Sequence, residues 1–326
     1  MKAFDLKQNL SDAELNRLIR RLAIVLVLAA VAFTAFYVID RWRPASAPIV
    51  DQQIASLEAS VRANPNDLSV RGELADTYLA KSRFSDAVTQ YDLIIATGQK
   101  LEPAYMGRAQ ALVGLKRLDD AAKDFQKVVD IAKTGEMAIV DPALEAAYYG
   151  LASIAMQQNR PQDAITLLQQ ALVIKRSDAD AIYLLGTAYA ATGDYDKAIT
   201  ELRAAVVFVP VRWTEPYRAM ADAYTKQNKA DFAKWATAMA DLNDGRTDAA
   251  ESALETLTTG DTAVDAAVGL GLLYETKGDN AKAIDWYTKA LAIDPQNNAA
   301  RFAMSRIGPL PTTEPSLAPS ASPAGK

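Results

Sequence analysis

The stretch LGTAYAATGDYDKAITELRAAVVFVP, residues 185–210, decides the fold. Gly186 is followed twelve places on by Ala198, four later by Leu202 and three later by Ala205, and the stretch ends on Pro210. The same order returns at 270–295, LGLLYETKGDNAKAIDWYTKALAIDP, as Gly271, Ala283, Tyr287, Ala290 and Pro295. Small and apolar residues three and four places apart line one face of a helix. Gly193-Asp194 and Gly278-Asp279 break each stretch into two helices, the glycine ending the first and the aspartate capping the second. Pro210 and Pro295 stop the second helix. Such a pair cannot bury its own apolar face, so copies must stack into a solenoid whose usual business is its surface.

Further copies fill the chain from Leu68 to Asn297. The first carries Leu74-Ala75, Tyr78, Phe84, Ala87 and Tyr91; the second Ala109, Leu112, Leu118, Ala121 and Phe125. The third has Tyr148, Leu151-Ala152, Ala164, Leu168 and Ala171, and a degraded fifth has Tyr217, Met220-Ala221, Tyr224 and Ala233. This series resembles the tetratricopeptide repeat (TPR) family over about 230 residues. The resemblance implies an all-α fold, a right-handed superhelix of about six repeats, here over residues 51–307 with capping helices. Small residues such as Gly186 and Ala198 are expected where two helices cross, with aromatics filling the space between copies. Asn64-Pro65-Asn66 closes a half-copy, 51–63, read as a cap. A short helix at 299–306 caps the far end, and the Pro/Ser/Ala-rich tail 308–326 is expected to be disordered.

The key alanines are not evenly spaced. Ala87 to Ala121 is 34 residues, but Ala121 to Ala164 is 43, which places a nine-residue insertion around Glu136 to Leu144. Ala233 to Ala250 is only 17, half a period. A helix near 229–243 is therefore expected to serve as second helix of one copy and first helix of the next.

The chain begins differently. Leu22 to Ile39, LAIVLVLAAVAFTAFYVI, has no charge and would span ~27 Å as a helix, close to a bilayer core. Phe36, Tyr37 and Trp42 sit where an interfacial aromatic belt belongs. Lys2, Lys7, Arg17, Arg20 and Arg21 precede it, and Arg41 and Arg43 follow. That bias predicts a transmembrane signal anchor at 22–39, a cytoplasmic arm at 1–21 opening on the capping box Ser11 to Glu14, a linker at 40–50, and extracytoplasmic repeats. Ala45-Ser46-Ala47 has the form of a cleavage site, but Pro48 directly behind it argues for an uncleaved anchor.

Composition narrows the chemistry. There is no cysteine and no histidine, which excludes disulfides, thiolate nucleophiles, imidazole zinc sites and a Ser-His-Asp triad. The net charge of −5 divides into +3 over residues 1–43 and −8 over the rest, which disfavours nucleic acid as a partner. Asp241, Asn243, Asp244, Gly245 and Glu251 imitate a calcium loop, but the glycine and glutamate each fall one place early, so an interhelix turn is expected. Asp119, Asp120 and Asp124 suit the start of a second helix. No phosphate-binding or dinucleotide motif is present, and neither a cofactor nor a small-molecule substrate is expected.

In this family the first helix of each copy lines the concave face. The resemblance therefore implies a partner-binding groove of Asp76, Met106, Gln110, Tyr149, Ser153, Met156, Tyr183, Thr187, Arg218 and Asp222. Tyrosines and methionines suit adaptable peptide or helix binding, though Tyr149 and Tyr183 are equally suited to stacking within the superhelix. The expected function is a non-enzymatic, membrane-tethered scaffold or assembly adaptor, similar to bacterial envelope TPR proteins. The alternatives are an accessory subunit presenting substrate to an enzyme or secretion complex, and the same scaffold facing the cytoplasm.

Overall fold

The computed structural model describes residues 16, 19–26, 29–31, 33–34, 49–135, 137–208 and 211–308, without the side chains of 49, 50 and 208. The chain forms two compact units, 1–64 and 65–326. In the first, the described residues of 19–34 are helical, and helix α1 spans Ile49–Ala63. Among the described residues no helix is long and apolar enough to cross a membrane. The expected span 22–39 falls partly outside them, as do the capping box at 11–14 and the tail from 309.

The second unit is all helix and turn among its described residues. Seven pairs of neighbours build it: α2 (Leu68–Ala80) with α3 (Phe84–Ile95), α4 (Leu101–Gly114) with α5 (Leu118–Ala132), α6 (Pro142–Gln157) with α7 (Pro161–Ile174), and α8 (Ala179–Ala191) with α9 (Tyr195–Phe208). Then come α10 (Glu215–Lys226) with α11 (Ala230–Asn243), α11 again with α12 (Thr247–Glu255), and α13 (Ala263–Thr276) with α14 (Asn280–Ile293), before a terminal α15 (Asn298–Ile307).

Every turn within a pair is built alike. The second residue past the first helix is left-handed at Ser82, Lys116, Asn159, Gly193, Asn228, Gly245 and Gly278. The next N–H bonds back five residues, as Asp194 does to the Tyr189 carbonyl at 3.0 Å, and the left-handed residue bonds back three, as Gly193 does to Ala190 at 3.1 Å. This pair of bonds satisfies carbonyls that a helix end otherwise leaves open. Asp279 then caps the next helix, accepting from the Lys282 N–H at 3.1 Å.

Helix α11 is entered through such a turn at Asn228 and left through another at Gly245. It is therefore second helix to α10 and first helix to α12, as the half-period between Ala233 and Ala250 requires. Sharing one helix brings α9 to α13 across the intervening copy. Arg203 of α9 grips Asp265 of α13 with two hydrogen bonds, at 3.0 and 2.7 Å, and donates to the Tyr224 hydroxyl at 2.8 Å. Its guanidinium lies 4.7 Å from the centre of the Trp235 ring, whose N–H donates to the Asp265 carbonyl. The other irregularity, the insertion, forms a 3-10 turn at Ala138–Val140. Ala138 packs inward with Leu167 and Ile174, while Met137, Ile139 and Val140 stand exposed.

The helices cross over residues with little or no side chain. A Cβ on Gly271 would lie 2.3 Å from the ring of Tyr287 in the same copy, and one on Gly186 would lie 2.8 Å from Leu202. Between copies, a Cβ on Gly107 would lie 2.3 Å from the Tyr91 ring. Glycine to alanine inside a helix ordinarily gains about 0.5–1 kcal/mol. Gly271→Ala should instead lose roughly 1–3 kcal/mol, because Tyr287 is fully buried and cannot step aside. A urea melt followed by circular dichroism checks the sign, and a stabilised variant would contradict this packing.

Candidate functional site

First helices of successive copies touch one another, α2 with α4, α4 with α6, α6 with α8 and α8 with α10. That row forms one continuous face, and the expected groove residues lie on it. Met106, Tyr149, Ser153, Met156, Tyr183 and Thr187 are half-buried, and Asp76, Gln110, Arg218 and Asp222 are exposed. Tyr149 and Met156 pack one side against the core of the third and fourth copies, and Tyr183 against the next core along. Each packs in the stack and remains partly open to solvent.

Several expected groove residues are occupied within the chain. Asp76 accepts a hydrogen bond from the Tyr91 hydroxyl at 2.6 Å, and Thr187 donates to the Leu184 carbonyl at 2.8 Å. Arg218 is paired with Asp244 at 2.7 Å. Asp244 also accepts from Thr214 and Arg246, and Asn243 accepts from the Trp213 N–H. The calcium-like sequence is thus an interhelix turn whose oxygens are taken by the protein. Among the second-helix acids, Asp120 pairs with Arg117 and Lys123, and the buried Asp124 pairs with Arg108 at 2.7 Å. Among the described residues no group of acids is placed to hold a metal ion.

Two contributors were missing from the sequence reading. Trp213, in the loop before α10, stands edge-on to Tyr183 with ring centres 5.3 Å apart. Its own signal is weak, because the contact depends on Asn243 pinning the loop from thirty residues away. Glu145, in the first turn of α6, is only 9% exposed. Burial, then the nearby charge of Asp178, pushes its carboxyl above the usual range, against a smaller pull from Lys175. The Tyr149 hydroxyl is raised by burial and by Asp180, Asp178 and Glu145, and the Tyr183 hydroxyl by burial and Glu215. The middle of the row therefore combines half-buried rings with carboxylates.

The tetratricopeptide repeat pattern matches residues 74–136, 149–211 and 236–298, well over half of the chain. The chain belongs to the tetratricopeptide repeat family. The third match begins inside α11, which agrees with that helix opening a copy. Proteins of this family generally mediate protein–protein interactions, and the fold is typically a non-enzymatic interaction scaffold. Mitochondrial import receptor subunit TOM70 of Saccharomyces cerevisiae is 30% identical over 131 residues, 40% of this chain and 21% of that protein. Tetratricopeptide repeat protein 21B of Mus musculus is 26% identical over 178 residues, 48% of this chain and 13% of that protein. The chain thus spans about a fifth or less of these relatives. The fold is similar to that of BtubC from P. vanneervenii, with a TM-score of 0.52 and 18% identity over 62% of this chain and 93% of that one. It is also similar to the C-terminal part of a TPR protein from Cytophaga hutchinsonii, with a TM-score of 0.51 and 16% identity over 78% of this chain and 94% of that one.

The raised carboxyl of Glu145 gives a signed prediction. A folded-state pKa above the unfolded one means the folded chain holds the proton more tightly, so stability falls as pH rises through that interval. Glu145→Gln should melt above the parent at pH 7, and the gap should close as pH drops through the carboxylate range. Melting curves at pH 4 to 7 check this, and a gap that widens on acidification would contradict it.

Proposed function

We propose that the chain is a non-enzymatic scaffold or assembly adaptor, held at a membrane by residues 22–39, that binds a peptide or helical segment of another protein along its first-helix row. The observation that carries this reading is the continuous row itself. Met106, Tyr149 and Tyr183 recur at matching places on α4, α6 and α8, each half-buried with one side on the core. Rigid, half-exposed aromatics of this kind anchor interfaces at low entropic cost. The pairing of Arg218 with Asp244 makes it a wall of the groove rather than a free contact. One relative is a mitochondrial import receptor subunit, a name that suits a receptor reading.

The tether rests on the described helical residues of the apolar stretch. Leu22, Ile24, Val25, Leu26, Val31 and Phe33 are each more than half exposed, a density of apolar surface that water does not favour and lipid does. The excess of cations before the stretch supports a cytoplasmic N-terminus and extracytoplasmic repeats.

The absence of native cysteine allows a clean test. Ser69→Cys should react with an impermeant reagent in intact cells and Ser11→Cys should not; the reverse pattern overturns the orientation. A photo-cross-linker on Ser153→Cys should capture a discrete protein, the same on Thr166→Cys of α7 should not, and Tyr149→Ala with Tyr183→Ala should abolish the capture. Equal capture from both positions would overturn the groove.

A further inference from the structure

The middle of the row holds a carboxylate that no hydrogen bond or ion pair among the described residues meets directly. Glu145 is buried, yet its carboxylate has no hydrogen bond or ion pair to any described residue. It stands four places after the cap residue Asp141, one beyond the place from which a glutamate reaches back to the cap N–H, so the helix start does not use it. Its side chain is largely covered, while the carboxylate oxygens still reach solvent, where a partner can meet them. One turn further along α6 is Tyr149, and Tyr183 holds the same place on α8, with Trp213 edge-on to it. The charges of Asp180 and Asp178 act on the Tyr149 hydroxyl, and that of Glu215 on the Tyr183 hydroxyl. Lys175 faces this group and is already bound by Asp178 at 2.5 Å.

What answers the carboxylate is set by chemistry and spacing. Ring faces and carboxylates together attract organic cations, guanidinium above all. A bare metal ion does not fit, since no described acids converge on one point. The acids and rings are instead strung along three first helices, and packed helices lie about 8–10 Å apart. An extended polyproline-type segment returns to the same face every third residue, after about 9 Å. Resting on the groove reading above, we infer that Glu145, Tyr149, Tyr183 and Trp213 form a receptor for an extended basic segment of the partner protein, with Arg or Lys at about every third residue.

The test uses the full chain in non-ionic detergent and three labelled twelve-residue peptides that carry Arg, Gln or Glu at every third place. Fluorescence anisotropy should show saturable binding of the Arg peptide, at least about tenfold tighter than the other two and weakened several-fold between 50 and 300 mM salt. Glu145→Gln should weaken it about fivefold or more, because the variant removes a poorly screened charge. Asp163→Asn, an equal charge change on α7, should leave binding unchanged, and far-UV melts confirm that both variants fold. Equal binding of the Gln peptide, still lost with Tyr183→Ala, would overturn the basic ligand while leaving the groove intact. No saturable binding of the Arg peptide, or binding indifferent to Glu145→Gln, would overturn the inference outright.

Discussion

The structure depends on one contact repeated along the chain. Bulky side chains on four of the second helices, Tyr91, Phe125, Leu202 and Tyr287, are driven against first-helix residues that have no side chain. Only there can the two backbones come close enough for the rest of each pair to interlock. Because Tyr91 and Phe125 reach a first helix of the following copy, the same contact also joins copies. The core is therefore a chain of local cores, each supported by its neighbours. The first helices are drawn into one row, and their outward sides become a surface that no single copy could offer.

The double use of α11 departs from that regularity at one point. An ordinary copy contributes two helices, but here two copies contribute three. The shortened path lets Arg203 and Asp265, 62 residues apart, meet directly over Trp235 and beside Tyr224. A bidentate pair with an aromatic floor is more directional than apolar packing, and it fixes how copies on either side of α11 are set. The same shared helix ends at Asn243 with Asp244 as its cap, and these hold the Trp213 backbone and the Arg218 side chain beside the candidate groove. The irregular repeat thus shapes one wall of the candidate site.

Much of the fold is legible because it is local. Gly193-Asp194 and Gly278-Asp279 announce their turns, and the spacing of Ala233 and Ala250 announces the shared helix. The left-handed Ser82 and Lys116 carry no such signal, since their turns are imposed by the hydrogen bonds around them. The candidate site is less legible for a related reason. Tyr149 and Tyr183 follow from repeat position alone. Trp213 joins them through a hydrogen bond that its N–H donates to Asn243, and Arg218 is withdrawn by Asp244; neither partner is near in sequence. Glu145 reads in sequence as an ordinary acid of a first helical turn, and only packing reveals that it is buried and unpaired.

Side-chain footprinting addresses the central claim, that the first-helix row is where a partner sits. Hydroxyl radicals would be applied to the full chain in intact cells and again after purification, with modification read at each aromatic and methionine. The account predicts that Tyr149, Met156, Tyr183 and Trp213 are modified more slowly in cells, while the exposed Met137 of the insertion reacts equally in both. Protection at Met137 with unchanged reaction at Tyr149, Tyr183 and Trp213 would contradict it.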